Sequence, residues 1–204
     1  MKDIRQQCVD EQDKAAQIFT WCMVVAMHQE EGIGATRLTR ACNEMRAFQA
    51  RYKSKIDSGN RRKATEAMRD VLRGICDFTV RLPQNRAPRN YREERLRMAQ
   101  DEGAEIAWLV MAATAHLTFG FGKERLARLK KEAIDGYRQY IGWVKTDGED
   151  CAEEWLKRCV EQALHEELKV NDIQSGSRPP KQYYSSGVDV ADMIRVTGAV
   201  SAKM

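Results

Sequence analysis

The chain has 204 residues, a formal net charge of +4 at pH 7, 31% charged residues and 43% apolar ones. That length can bury a core without staples, and the composition, with few Gly and Pro, is that of a soluble helical protein rather than a disordered or all-β one. The charge is mildly basic, which permits an anionic partner without demanding one.

No apolar run approaches bilayer length. The opening Met1-Lys2-Asp3-Ile4-Arg5 leads into an amphipathic, charged pattern rather than the apolar core of a signal peptide, so the expected location is the cytoplasm, with no membrane partner. The six cysteines, Cys8, Cys22, Cys42, Cys76, Cys151 and Cys159, form no C-x-x-C pair, and most fall on apolar stripes. They read as small, mostly buried thiols.

The first helix is predicted from Asp3 to Glu30, with Ile4, Cys8, Ala15, Ile18, Cys22 and Val25 at helical spacing and Trp21 and Met23 widening the apolar face. Gly32 is a left-handed stop, and Gly34 adds a second permissive residue. A second helix carries Leu38, Ala41, Met45, Phe48 and Tyr52 and ends near Ile56, before the turn cluster Asp57-Ser58-Gly59-Asn60. A third is predicted through Ala64, Met68, Val71, Leu72, Ile75, Phe78 and Leu82.

Pro83 and Pro88 then break the periodicity, which makes residues 83–89 a linker. A fourth helix is expected from Asn90 to Thr118, a fifth from Lys123 to Val144 and a sixth from Asp150 to Asn171. Ser175-Gly176-Ser177-Arg178-Pro179-Pro180 opens a tail. In it only Val188 to Val196 looks like a short amphipathic element, and Tyr183-Tyr184 could dock back on the bundle.

Residues 12–52 laid on residues 100–140 without a gap agree at about 13 of about 41 positions. Met27-His28 through Gly32-Ile33-Gly34 to Arg37-Leu38 recurs as Ala115-His116 through Gly120-Phe121-Gly122 to Arg125-Leu126. The register continues into the third helices, where Ala64, Met68 and Leu72 fall on Ala152, Leu156 and Val160. The expected fold is all-α. Two three-helix repeats, residues 1–82 and 90–172, form one helical bundle with pseudo-twofold symmetry, and residues 173–204 are a C-terminal tail.

Each Gly-apolar-Gly reads as a hairpin whose second helix begins with exposed amides and a positive dipole end. A helix-hairpin-helix element uses that arrangement to grip nucleic-acid backbone without reading bases. This chain departs from that motif by having Glu30 and Thr118 where an apolar residue is usual, so a tight αα turn with a glycine cap is the plainer alternative. The candidate contact residues are Gly32, Gly34, Arg37 and Arg40 on the first hairpin and Gly120, Gly122, Lys123, Arg125 and Arg128 on the second. Arg51, Lys53, Arg61 and Arg62 form a basic cluster around the end of helix two, and Arg86, Arg89 and Arg92 another around the linker. Solvated helix faces with pairs such as Glu93–Arg97 and Glu124–Arg128 would account for much of this charge.

His28 and His116 stand where a histidine can interact with helix C-terminal carbonyls. The repeated Asp13/Asp101, Arg37/Arg125, Arg40/Arg128 and Glu44/Glu132 suggest ion pairs that set the packing of the halves. His165-Glu166-Glu167-Leu168 lacks the second histidine of a zinc-protease helix, and the chain has no Ser-His-Asp pattern and no P-loop, so neither catalysis nor a cofactor is expected.

The segment His116 to Tyr140, with Phe119-Gly120-Phe121-Gly122-Lys123-Glu124-Arg125-Leu126, resembles a group of uncharacterised small helical proteins encoded by phages and prophages of Firmicutes, often in early regions. The resemblance implies a mobile-element origin and action in a bacterial host. It points to a non-enzymatic protein that binds nucleic acid or a host nucleic-acid-handling protein, for example a defence nuclease blocked in the manner of anti-CRISPR proteins. A non-specific DNA-binding protein and a self-associating structural protein, such as a homodimer, are the alternatives.

Overall fold

The computed structural model describes residues 3–57, 66–67, 69–165, 168–171 and 182–185, with side chains left undescribed at 46, 48–57 and in the two strands. The helices are α1 (Ile4–Gln29), α2 (Ala35–Asp57), α3 (Tyr91–Phe119), α4 (Lys123–Asp147) and α5 (Glu149–Leu164). Two short strands follow, β1 (Leu168–Asn171) and β2 (Gln182–Ser185), paired antiparallel with Leu168 opposite Ser185. No helix among the described residues is long and apolar enough to cross a membrane.

The bundle is organised around α1 and α3. Buried residues run almost without interruption from Ala15 to Met27 and from Ala107 to Ala115, so these stretches bury every side rather than one stripe. A helix that is apolar all round belongs at the centre of a core. The outer helices keep amphipathic stripes: Leu38, Ala41, Cys42 and Met45 on α2, Leu126, Leu129, Ala133, Tyr137 and Tyr140 on α4, and Ala152, Leu156, Val160 and Ala163 on α5.

Contacts between α1 and α3 advance together along both chains. Arg92 Nη2 donates to Gln7 Oε1 at 2.6 Å, Gln100 Nε2 donates to Glu11 Oε2 at 2.7 Å, and Gly103 lies against the Gln12 backbone. The two central helices therefore run in the same direction, which puts both glycine hairpins at one end of the bundle. The outer helices cross over: α4 packs chiefly on α1, and α2 on α3, more than either packs on its own hairpin partner. The halves on either side of the linker thus share one core.

Two helices are shorter than their spacing predicts. The third is predicted to reach Leu82, but the described helical residues end at Val71, turns follow, Gly74 takes φ 75°, and residues 76–84 form neither helix nor strand. The reason is tertiary: α3 supplies acceptors and a donor for this non-helical stretch. Leu82 N–H donates to Asp101 Oδ1 at 2.9 Å, Val80 N–H to Glu105 Oε1 at 3.3 Å, and Trp108 Nε1–H to the Asp77 carbonyl at 2.8 Å. Val80 and Leu82 are buried in the process.

The sixth helix is predicted to reach Asn171, but α5 stops at Leu164 because His165 adopts the left-handed conformation, φ 54°. Lys14 on α1 clamps the start of α5, bonding Glu149 and lying 2.9 Å from Glu153. Within the expected tail, residues 182–185 form a strand; Val188 to Val196, like Ala64 and Met68, lies outside the described residues.

Candidate functional site

Both hairpins are Schellman caps. Ile33 N–H reaches back to the Met27 carbonyl at 3.1 Å and Phe121 N–H to the Ala115 carbonyl at 3.3 Å, with Gly32 and Gly120 at φ 62° and 66°. That i to i−6 bond with a left-handed glycine satisfies carbonyls left open at a helix end, and the apolar residue after the glycine packs inward. Ile33 and Phe121 are buried accordingly.

The histidines complete the same turn. His28 Nδ1 lies 3.1 Å from the Ile33 carbonyl and His116 Nδ1 lies 2.8 Å from the Phe121 carbonyl. A carbonyl only accepts, so Nδ1 carries the proton in both rings. The histidines hold the hairpin rather than the helix-end carbonyls.

The second glycine of each hairpin has a different character. Gly34 and Gly122 are not among the positive-φ residues, and a Cβ built on either meets nothing within 4 Å. Neither tight packing nor backbone strain demands a glycine there. Gly122 gives α4 no side-chain cap, and the chain turns directly into the helix through Leu126 N–H to the Gly122 carbonyl, as Leu38 N–H does to Gly34. Open space beside uncapped first-turn amides is a geometry that admits an anion.

The arginines separate into two pairs. Arg125 Nε donates to Glu31 Oε2 at 2.8 Å, and Arg128 donates to Glu31 Oε1 through Nε at 3.1 Å and Nη2 at 2.9 Å. The Glu31 side chain is only 4% exposed, and Arg125 also stacks 3.8 Å from the centre of the Phe121 ring. Glu31 belongs to the first hairpin and both arginines to the second, so this cluster ties the hairpins together.

Arg37 and Arg40, at the matching places on α2, are exposed and form no ion pair with any described residue. The residue matching Glu31 in the second copy is Phe119, which cannot accept. A carboxylate present in one copy and absent in the other therefore leaves one arginine pair tied and its counterpart open to solvent.

The linker cluster is largely used within the chain. Arg86 pairs with Glu93 at 3.1 Å, the Arg89 backbone N–H donates to the same carboxylate at 2.8 Å, and Arg92 holds Gln7. Glu93 therefore does not serve Arg97, nor Glu124 Arg128, as helix spacing alone suggests. Lys123 lines a cleft of about 490 Å³ with Gly74, Cys76, Asp77, Trp108 and Lys130. Lys130 is held there by Asp77, whose carboxylate lies 2.9 Å from Nζ, and burial pushes the Cys76 thiol up to about 11, which leaves it un-ionised and unreactive near neutral pH. The side chains of Arg51 and Lys53, and Arg61 and Arg62 entirely, lie outside the described residues.

The cross-hairpin cluster makes a stability prediction. Glu31→Gln removes the shared acceptor charge, but both guanidiniums are about half exposed and rehydrate. The expected loss is therefore about 1–2 kcal/mol, read from chemical denaturation, rather than the larger cost of stranding a buried charge.

Sequence reasoning missed Asp101 as the anchor of residues 80–82 and Gly103 as a helix contact. A glycine in the middle of a long helix was the available signal for the second. No protein-family model matches this chain, and no curated protein or solved structure is similar to it.

Proposed function

We propose that this is a non-enzymatic binding protein of phage or prophage origin, built from two copies of one three-helix unit about a pseudo-twofold axis. Its contact surface is the start of α2, and its target is the phosphate backbone of a nucleic acid in a bacterial host. The matched Schellman caps, histidine bonds and parallel central helices support the duplication.

The binding role rests on the unequal use of the repeated arginines. Arg125 and Arg128 share the Glu31 carboxylate, while Arg37 and Arg40 stand exposed, with no ion pair among the described residues, near the start of a helix preceded by Gly34, which leaves room for an anion. Arginine's planar fork suits phosphate, and such contacts position a protein on a duplex without reading sequence.

Fluorescence anisotropy of a labelled duplex titrated with the full chain across a salt series tests this. Arg37→Gln with Arg40→Gln is expected to weaken binding about tenfold at low salt and to flatten the log–log salt slope by about 2, one unit for each phosphate no longer neutralised. Binding that ignores both substitutions would refute the assignment of this surface.

A second reading has a specific observation in its favour. Leu117, beside His116 at the hairpin end of α3, is 59% exposed, which suits a protein partner such as a host defence nuclease. Under that reading no duplex binding occurs, and a protein complex survives both nuclease and high salt.

A further inference from the structure

At the end of the bundle away from the glycine hairpins, a cavity of about 240 Å³ lies between α3, α4 and the linker. Glu93, Leu96, Arg97 and Gln100, spaced as one face of α3, form one wall; Tyr137 and Ile141 of α4 form the second, and residues 84–88 close the third. The closing stretch is pinned at both ends, by the Leu82 N–H on Asp101 at 2.9 Å and the Arg89 N–H on Glu93 at 2.8 Å. Gln84 also donates to Gln100 at 3.4 Å, and Gln100 to Glu11 at 2.7 Å. The cavity is therefore held in shape by the chain's own bonds.

Two polar groups in its lining have no partner among the described residues. Tyr137 is only 5% exposed, yet its hydroxyl makes no hydrogen bond and, unlike that of Tyr140, is not fully enclosed. The opening it keeps is the cavity it lines. Burial pushes the phenol well above the ordinary tyrosine value, so it stays a neutral donor. Arg97 is exposed and forms no ion pair with any described residue. Arg86, the other cation here, already pairs with Glu93 at 3.1 Å, and both Glu93 oxygens are occupied, so the lining carries one uncompensated positive charge. A buried hydroxyl without an acceptor, beside a guanidinium without a carboxylate, is complementary to a molecule that brings both.

We propose that this cavity binds a small organic oxyanion, whose carboxylate or phosphate head pairs with Arg97 and whose body presents an acceptor oxygen to the Tyr137 hydroxyl. Arginine's planar fork fits either head through two parallel bonds. Leu96 and Ile141 give the carbon skeleton an apolar side to lie on. The volume sets the size: it falls below the roughly 300–1,000 Å³ of drug-sized sites, which suits a metabolite of a few carbons. The site shares no residue with Arg37 and Arg40 and is independent of the nucleic-acid reading.

Titration of the full chain with glycerol 3-phosphate and, separately, with malate, followed by NMR of the Arg97 Nε–H and the Tyr137 ring, decides it. The expected result is saturable movement of both signals by at least one probe, with a Kd of about 1 mM or tighter, while glycerol and sodium chloride at matched ionic strength move neither. Binding of one probe alone supports the site and identifies its head as phosphate or carboxylate. Arg97→Gln, read at the Tyr137 ring, is expected to weaken binding about tenfold or more, and Tyr137→Phe, read at the Arg97 Nε–H, about fivefold. Because the Tyr137 hydroxyl has no partner within the described residues, Tyr137→Phe should leave the melting temperature unchanged. The proposal is overturned if neither probe moves the Tyr137 ring, if Arg97 alone responds and does so equally to sodium chloride, or if either substitution leaves the affinity as it was. A fall of several degrees in the melting temperature of Tyr137→Phe would reveal an internal partner for the hydroxyl and overturn it as well.

Discussion

Gly103→Ala is expected to lower the melting temperature by about 8 °C, although alanine is the better helix former. A Cβ at position 103 would stand 2.1 Å from the Gln12 carbonyl oxygen and 3.0 Å from its carbonyl carbon, both backbone atoms of α1. Backbone cannot swing aside as a side chain can, so α1 and α3 must separate where their neighbouring side chains already interlock. Overpacking of this kind costs about 3 kcal/mol or more, against about 1 kcal/mol gained in helix propensity. The net loss of about 2–3 kcal/mol corresponds to the stated shift for a chain of this size. Gly142→Ala on α4 is the control: nothing lies within 4 Å of its Cβ, and it should gain a fraction of 1 kcal/mol. Differential scanning fluorimetry of the two variants separates contact from propensity. An unchanged Tm for Gly103→Ala would mean that the central helices are not in backbone contact.

Trp108→Ala is expected to be more damaging still, at about 3–5 kcal/mol. The ring is fully buried, its Nε1–H donates to the Asp77 carbonyl, and Lys130 lies 5.8 Å from the ring centre. Truncation leaves a large cavity beside α3 and releases the start of the segment that Asp101 holds further along. Trp108→Phe keeps most of the volume. The Asp77 carbonyl retains a donor in the Lys130 ammonium at 3.1 Å, so that variant should lose only about 1 kcal/mol. Urea denaturation followed by far-ultraviolet circular dichroism measures both. Equal losses for Ala and Phe would shift the weight from packing to the indole hydrogen bond.

Much of this architecture was legible because its signals are local. The Gly32 and Gly120 stops and the apolar stripes of the outer helices are written in short stretches of chain. What failed was decided at long range. Ile75, Phe78 and Leu82 keep helical spacing, yet carboxylates of α3 take the Val80 and Leu82 N–H groups and hold that stretch out of a helix, and no periodicity reports an acceptor on another helix. The same holds for charge. Helix spacing offers Glu124 to Arg128, whereas the fold brings in the buried side chain of Glu31 from the other hairpin.

The candidate site was half visible. The repeated arginines and glycines could be found by aligning the chain with itself. The division of those arginines into a tied pair and an open pair followed from one mismatch, Glu31 against Phe119, whose meaning needed the crossing of α4 onto α1. In the same way, the role of Gly103 depends on which residue of α1 it meets, and Ala15 at the matching place gives no hint of it.

The central claim is that Arg125 and Arg128 hold the hairpins together while Arg37 and Arg40 meet the target, and affinity for a duplex measured on two variants tests it most directly. Arg37→Gln with Arg40→Gln is expected to weaken binding about tenfold with stability nearly unchanged. Glu31→Gln is expected to strengthen binding while stability falls, because it removes a negative charge and frees two guanidiniums at the same end of the bundle. If Glu31→Gln weakened binding, or if both variants bound like the intact chain, the arginines would be structural throughout and the hairpin surface would not be the contact.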